Sequence, residues 1–331
     1  RGWCKLAPFG ILGGMKHITL ALCLFAAPLA AQAPFWENEW PNTDFSNTSV
    51  AFTEILSGGP GRDGIPALDD PAYEPAADAA LVATEPVMVV ELNGQARAFP
   101  IRYLMWHEIA NTEVGGVPVA VTFCPLCNAG LVFDRRLDGQ VLDFGVTGKL
   151  RFSGLVMYDR QTESWWQQFT GQGIVGDMNG ARLDVLVSWM SSWRDFVAEF
   201  PNGEVLARPD VARNYGTNPY GGYDSAARPF LYTGEMPPFD IPPLARVIQV
   251  GKRAWLLDRL QRSTEIVEDG VRITWESGMN SPLDTARIAQ GRDIGAIRVY
   301  DAQSGAPLVH DVVFAFAFHA FVPDGRWMLG D

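Results

Sequence analysis

Short apolar runs of four to eight residues, broken by Gly, Asn and Asp, dominate the chain. Val87 to Leu92 and Ala96 to Phe99 flank Asn93-Gly94, a pair that supplies the positive φ angles of a two-residue hairpin turn. The same grammar predicts strands at Val117–Phe123, Leu131–Phe133, Val141–Val146, Leu155–Tyr158 and Leu183–Val187. Val247–Val250 and Ala254–Leu257 meet across Gly251-Lys252, and Ile266–Val267 and Val271–Trp275 across Asp269-Gly270. Ile297–Tyr300 and Val312–Phe318 complete the set. In the last of these, alternation puts His319 on the face opposite Phe316 and Phe318.

Helical periodicity is rarer. Ile101 to Asn111 reads as one helix, with Leu104 and either His107 or Glu108 on a shared face. Ser192 to Phe200 reads as another. Ser192 and Asp195 make a capping-box-like start, Trp193, Phe196, Val197 and Phe200 recur at helical spacing, and Pro201 stops it. Many strands with few helices between them predict a mainly β fold of the α+β kind, an antiparallel β-rich globular structure with a few short helices. No repeat of fixed period interrupts it. The stretch 202–243, rich in Pro, Gly and Tyr, is the expected long loop or the division between two lobes.

The N-terminus does not belong to this fold. Met15-Lys16-His17, the apolar Ile18–Ala27 and the small residues of Pro28–Ala33 read as a signal peptide, so residues 1–33 are expected to be a leader and the domain to occupy 34–331. The apolar run is shorter than the roughly 20 residues that span a bilayer, and no later segment is long and apolar enough to do so. The expected location is periplasmic or secreted. Removing the leader takes away Arg1, Lys5 and Lys16 but no acid, so the formal charge of −12 becomes −12 − 3 = −15. Such an acidic surface argues against nucleic acid as a partner, because phosphate binding needs Lys and Arg. Cys124 and Cys127 are the cysteines left in the mature part, too few for a disulfide framework.

Those two stand in Cys124-Pro125-Leu126-Cys127, directly after an apolar strand. The spacing suits thiol–disulfide exchange, in which one thiolate is stabilised as a nucleophile. A metal knuckle of two thiolates on one turn and a structural disulfide are the other readings, and the Cys-Pro-x-Cys form suits the knuckle better than a thioredoxin-like centre. A thioredoxin-like helix is not expected after Cys127, since Asn128 to Asp134 reads as turn plus strand. A zinc ribbon would need a second cysteine pair. The remaining metal ligands would then come from His107, which precedes the strand carrying Cys124, and from Met157, whose thioether would favour copper over zinc. Glu108 or Asn111 would orient the imidazole. His107-Glu108 is not a zinc-protease motif, because Asn111 occupies the position of its second histidine.

Tyr158, Asp159, Ser164, Trp165 and Trp166 form a polar and aromatic cluster. Such residues line pockets for polar ligands, and Asp159 with Thr162 equally fits a capped turn. No nucleotide cofactor is expected: Gly148-Lys149 runs into Leu150 and is not a phosphate-binding loop, and no Gly-x-Ser-x-Gly elbow occurs.

Taken together, several stretches resemble the bacterial and archaeal family known as domain of unknown function 3179. They are Trp106–Ile109, Val121–Asn128, Phe144–Leu150 and Met157–Trp166, with Ser49 to Pro66 before them and Phe314 to Pro323 near the end. The resemblance covers most of residues 45–325. It implies that His107, Cys124 and Cys127 belong to one constellation bordered by Met157 to Trp165, and it is consistent with export. It names no reaction. The residues therefore predict first a copper or zinc site built on Cys124, Cys127, His107 and Met157. Second comes a thiol–disulfide oxidoreductase using the same pair, and third a polar-ligand binding module with a structural disulfide.

Overall fold

The computed structural model describes residues 36–330, so the leader and signal peptide expected over 1–33 lie outside the described residues. The chain is mostly β with four short helices, its small antiparallel sheets set in a propeller-like arrangement. Among the described residues the strands form three five-stranded sheets, one of four strands, one of three and a two-stranded ribbon.

Three of these sheets position the cysteines. The first runs in the order Ile55–Ser57, Phe144–Arg151, Gly154–Asp159, Trp165–Gln167, Gln172–Val175. The second has Val117–Cys124 at its centre, between Ala129–Asp134 and Ile109–Val114, in antiparallel register with Cys124 opposite Ala129 and Ile109 opposite Thr122. The third pairs Asp311–Phe314 with Arg246–Val250, which continues into Arg253–Leu256. The Asn93-Gly94 hairpin forms as expected, joining Pro86–Leu92 to Gln95–Pro100 with φ of 51° and 81° at the turn.

Two expectations are corrected. Helix α1 covers Ile101–His107 and stops four residues early. Glu108 takes the left-handed conformation (φ 58°), donates its N–H to Leu104 O and turns the chain into the strand Ile109–Val114. Ile109, Thr112 and Val114 are β-branched and fit a sheet better than a helix, and pairing with Val117–Cys124 satisfies their backbone. Helix α2 is Trp193–Glu199, with the Ser192 side chain accepting Asp195 N–H as its cap. Helix α3 is Leu257–Ser263. The second correction falls on Val312–Phe318: only Asp311–Phe314 is strand, and Ala315–Phe321 is helix α4, so His319 sits half-buried in a last helical turn. Ala315, Ala317 and the regularly spaced phenylalanines make an all-round apolar helix that the core encloses, so alternation was the wrong period.

Within the expected loop 202–243, the strand Glu204–Leu206 is followed by a long segment, 207–245, whose one regular turn is Tyr223–Ser225. One apolar cluster runs from Leu68 to Met328, and Tyr215, Tyr220, Tyr223 and Tyr232 of that segment pack against it. A second cluster buries Trp40, Phe45 and Trp165, and a third buries Trp193 and Phe196 under the hairpin. No described helix is long and apolar enough to cross a membrane.

Candidate functional site

Cys124 ends its strand and Pro125 opens the turn. Asn128, left-handed at φ 52°, donates its N–H to Pro125 O (3.2 Å) and sends the chain back along Ala129–Asp134. The reversal places both sulfurs in one buried spot, Cys124 being 2% and Cys127 0% exposed, with both thiols free. Three neighbours fix it. Asn128 Nδ2 donates to Val312 O (2.6 Å), Phe314 N–H donates to Cys127 O (2.9 Å), and Gly130 N–H donates to Asp311 Oδ1 (3.2 Å). The hook is thus stitched to the head of the strand Asp311–Phe314.

From the other side comes the turn between Phe144–Arg151 and Gly154–Asp159. Phe152 and Ser153 both have positive φ (48° and 65°), the signature of a type I′ hairpin turn without its usual glycine. That geometry aims Ser153 O at the pair, 4.0 Å from Cys124 Sγ and 3.7 Å from Cys127 Sγ. The segment 207–245 closes over both turns. Tyr223 OH donates to Leu126 O (3.1 Å) and accepts from Phe230 N–H (3.2 Å), while Ser153 Oγ donates to Phe230 O (2.5 Å).

The two thiols are electrostatically unequal. Burial alone pushes the Cys124 thiol up. Hydrogen bonds from the Cys127 S–H and from the backbone N–H groups of Leu155, Cys127 and Leu126 outweigh it and hold Cys124 below its ordinary range. Cys127 is driven the opposite way, by burial first and then by the neighbouring Cys124 sulfur that its own S–H serves. Two buried acids share the region. Glu108 is pushed well up by burial and by the Cys124 charge, and its carboxyl has no hydrogen-bond partner among the described residues. Asp311 is pushed well up by burial, against the N–H donors Gly130 and Val312, with the Cys124 charge adding to the rise. Its Oδ1 takes both N–H groups, at 3.2 and 2.7 Å, and its buried Oδ2 has none. Burial likewise raises the hydroxyls of Tyr220 and Tyr223, each further opposed to ionisation by Cys124.

The metal ligand set expected from the sequence does not assemble. His107 spends both ring nitrogens elsewhere: Nδ1 lies 2.7 Å from Pro66 O and Nε2 2.6 Å from Tyr215 OH. A carbonyl can only accept, so Nδ1 carries the proton and Nε2 accepts the tyrosine hydroxyl. Burial, chiefly, lowers the imidazole's pKa and keeps it neutral. Among the described residues no three His, Cys, Asp or Glu side chains come together as metal ligands. Met157 is a fully buried strand residue paired with Trp166. Asn111 does not orient His107; its Nδ2 donates to Asp69 Oδ1 and Phe144 O, both at 2.8 Å, joining two sheets.

The polar and aromatic cluster makes well-defined contacts of its own. Asp159 accepts Thr162 N–H (2.6 Å) and Trp166 Nε1–H (2.8 Å), the capped turn that the sequence also allowed. Ser164 Oγ accepts Met178 N–H (3.0 Å). Trp165 is fully buried against Trp36, Trp40 and Phe45, and Tyr158 lies under the Arg62 guanidinium at 4.6 Å. Asp311, Ser153 and Tyr223 are the site residues that sequence reading missed. The only signal for Asp311 is an acid at the head of an otherwise apolar run.

A family model described as a protein of unknown function (DUF3179) matches residues 62–325, and the chain belongs to that family. No curated protein and no solved structure matches it.

Proposed function

We propose that the protein is an exported thiol–disulfide redox protein whose centre is the Cys124–Cys127 pair. The observation that carries this reading is the asymmetry of the two sulfurs: three backbone N–H groups and the partner thiol face Cys124 and lower its pKa, while burial and the neighbouring Cys124 sulfur raise that of Cys127. A structural disulfide needs no such difference. In the reaction, Cys124 thiolate attacks one sulfur of a substrate disulfide and expels the other as thiolate. Glu108, buried beside Cys124 and kept protonated, stands ready to donate to that leaving group. Cys127 then loses its proton and attacks Cys124 Sγ, releasing the second substrate thiolate and leaving the Cys124–Cys127 disulfide. Two electrons pass from the pair to the substrate, and the reverse sequence oxidises a dithiol. With both sulfurs almost wholly buried, the substrate fitting this centre is a small disulfide or thiol.

The test is equilibration of the mature protein with graded mixtures of reduced and oxidised glutathione, read by intact mass after acid quench, with metal content measured on the same sample. The reading expects a reversible two-electron transition between dithiol and disulfide in metal-free protein. A pair that stays dithiol throughout, or stoichiometric metal lost in Cys124→Ser, contradicts it.

A further inference from the structure

The chain carries a formal charge of −12, yet the wall of one cavity runs the other way. That cavity, of about 460 Å³, has Arg182 and Lys252 among its lining residues. Its floor is apolar: Leu131, Phe169 and Val322 line it together with Phe321, whose half-buried ring stacks on Phe169 at 4.8 Å. A second cavity, of about 680 Å³, shares Lys252, Val309 and Asp324 with the first and adds Arg253 and Arg326. Val309 is 39% exposed, so the wall common to both presents an uncovered apolar side chain. The ion pairs here leave positive charge over. Arg253 and Arg326 share one acid, Asp269, at 3.2 and 3.3 Å. Arg182 makes no ion pair among the described residues and holds only Thr170 O, at 3.4 Å. Lys252 pairs with Asp324 at 3.3 Å, but the two side chains are 72% and 78% exposed, so water weakens the pair and a ligand can compete for the lysine. Asp311 lines the first cavity too, with its carboxylate turned away from it: Oδ1 takes the N–H groups of Gly130 and Val312, and Oδ2 is sealed from solvent.

We propose that this cavity is a binding site for a small organic anion with a flat apolar body and one carboxylate. The body lies on the Phe169–Phe321 pair and covers Val309, where removing apolar surface from water is favourable. The carboxylate is taken by Arg182, the cation with no counter-charge of its own, whose planar fork matches a carboxylate in geometry. Lys252 and the Arg253–Arg326 pair add attraction from the shared wall. A neutral ligand would gain nothing from these charges, and a cation would be repelled by them. A phosphate would leave the apolar floor uncovered. A concave, largely apolar space with a few charged groups is the form that small-molecule sites take. Neither cysteine lines the cavity, so the inference does not depend on the thiol reading.

The probe is 4-phenylbutyrate, a phenyl ring and one carboxylate on a short chain, titrated into the protein by calorimetry, with 4-phenylbutyramide as its neutral counterpart. The expected result is one-to-one binding of the acid, with the amide bound at least about tenfold more weakly, the size of one charge-assisted hydrogen bond lost. Two substitutions at exposed positions locate the site. Arg182→Glu reverses the charge that meets the carboxylate, and Val309→Asp sets an acid on the shared wall. Each is expected to weaken the acid by more than about tenfold, and an unchanged melting temperature establishes that each variant folds. No binding of the acid at millimolar concentration, equal affinity for acid and amide, or wild-type affinity in both variants overturns the inference.

Discussion

The segment over the cysteines is clamped by one buried ion pair, and breaking it gives a quantitative prediction. Asp224 is on that segment, one residue after Tyr223, and its carboxylate is fully buried. Oδ2 accepts from Arg246 Nη1 at 3.0 Å and from Ser281 Oγ at 2.6 Å, and Arg292 adds a contact at 2.9 Å. Burial works against the carboxylate, but Arg246, Ser281 and Arg292 outweigh it and keep Asp224 ionised. Asp224→Ala leaves the Arg246 guanidinium, 3% exposed, without its counter-charge. Removing one partner of a buried pair costs about 3–5 kcal/mol. Arg292, whose side chain is 44% exposed, contributes little to that figure. If the pair holds the segment down, the loss appears as local opening, and at 1.4 kcal/mol per factor of ten the alkylation of Cys124 accelerates by about 10² to 4 × 10³. The assay is iodoacetamide labelling under native conditions, with urea unfolding of the same variant. A labelling rate within a factor of three of wild type, or a stability loss under about 1 kcal/mol, refutes the assignment of Asp224 as the clamp.

Two further outcomes follow from the same geometry. Burial and the Cys124 charge raise the Glu108 carboxyl well above its unfolded value of 4.5, so its favourable contribution is complete below that value and is lost as pH rises through the folded pKa. Glu108→Gln therefore unfolds at higher urea than wild type in mildly alkaline buffer, the difference vanishing toward pH 4; equal shifts at both pH values contradict a buried neutral acid. Gly148 has φ 71°, and a Cβ there would stand 2.0 Å from Pro60 O, so Gly148→Ala costs more than about 2 kcal/mol in thermal or urea unfolding. A near-neutral result shows that the loop 58–61 yields freely.

Much of the fold was legible because two-residue turns announce themselves. Asn93-Gly94, Gly251-Lys252 and Asp269-Gly270 each fall between paired strands. The turn Phe152–Ser153 carries no such signal, since neither residue favours positive φ, and it is the one that delivers a carbonyl to the sulfurs. Helix α1 was overread for a related reason. Glu108 continues a helical pattern in sequence, and only its pairing with Phe123, through Glu108 O, forces the reversal. The Cys-Pro-Leu-Cys hook and the strand after it were visible, and with them the argument against a thioredoxin-like helix. Its surroundings were not. His107 lies close in sequence but is spent on Pro66 and Tyr215, while Asp311 comes from 184 residues beyond Cys127 (311 − 127) and is brought in by tertiary pairing. Sequence proximity does not settle these partners, because the sheets, not the local chain, decide which side chains reach a buried turn.

The account stands on the inequality of the two thiols, and limited alkylation tests it most directly. Fully reduced protein is treated at pH 7 with less than one equivalent of iodoacetamide, and the modified cysteine is located by peptide mass. The account predicts modification at Cys124 with Cys127 at least ten times less labelled. Equal labelling, or labelling of Cys127 first, contradicts it.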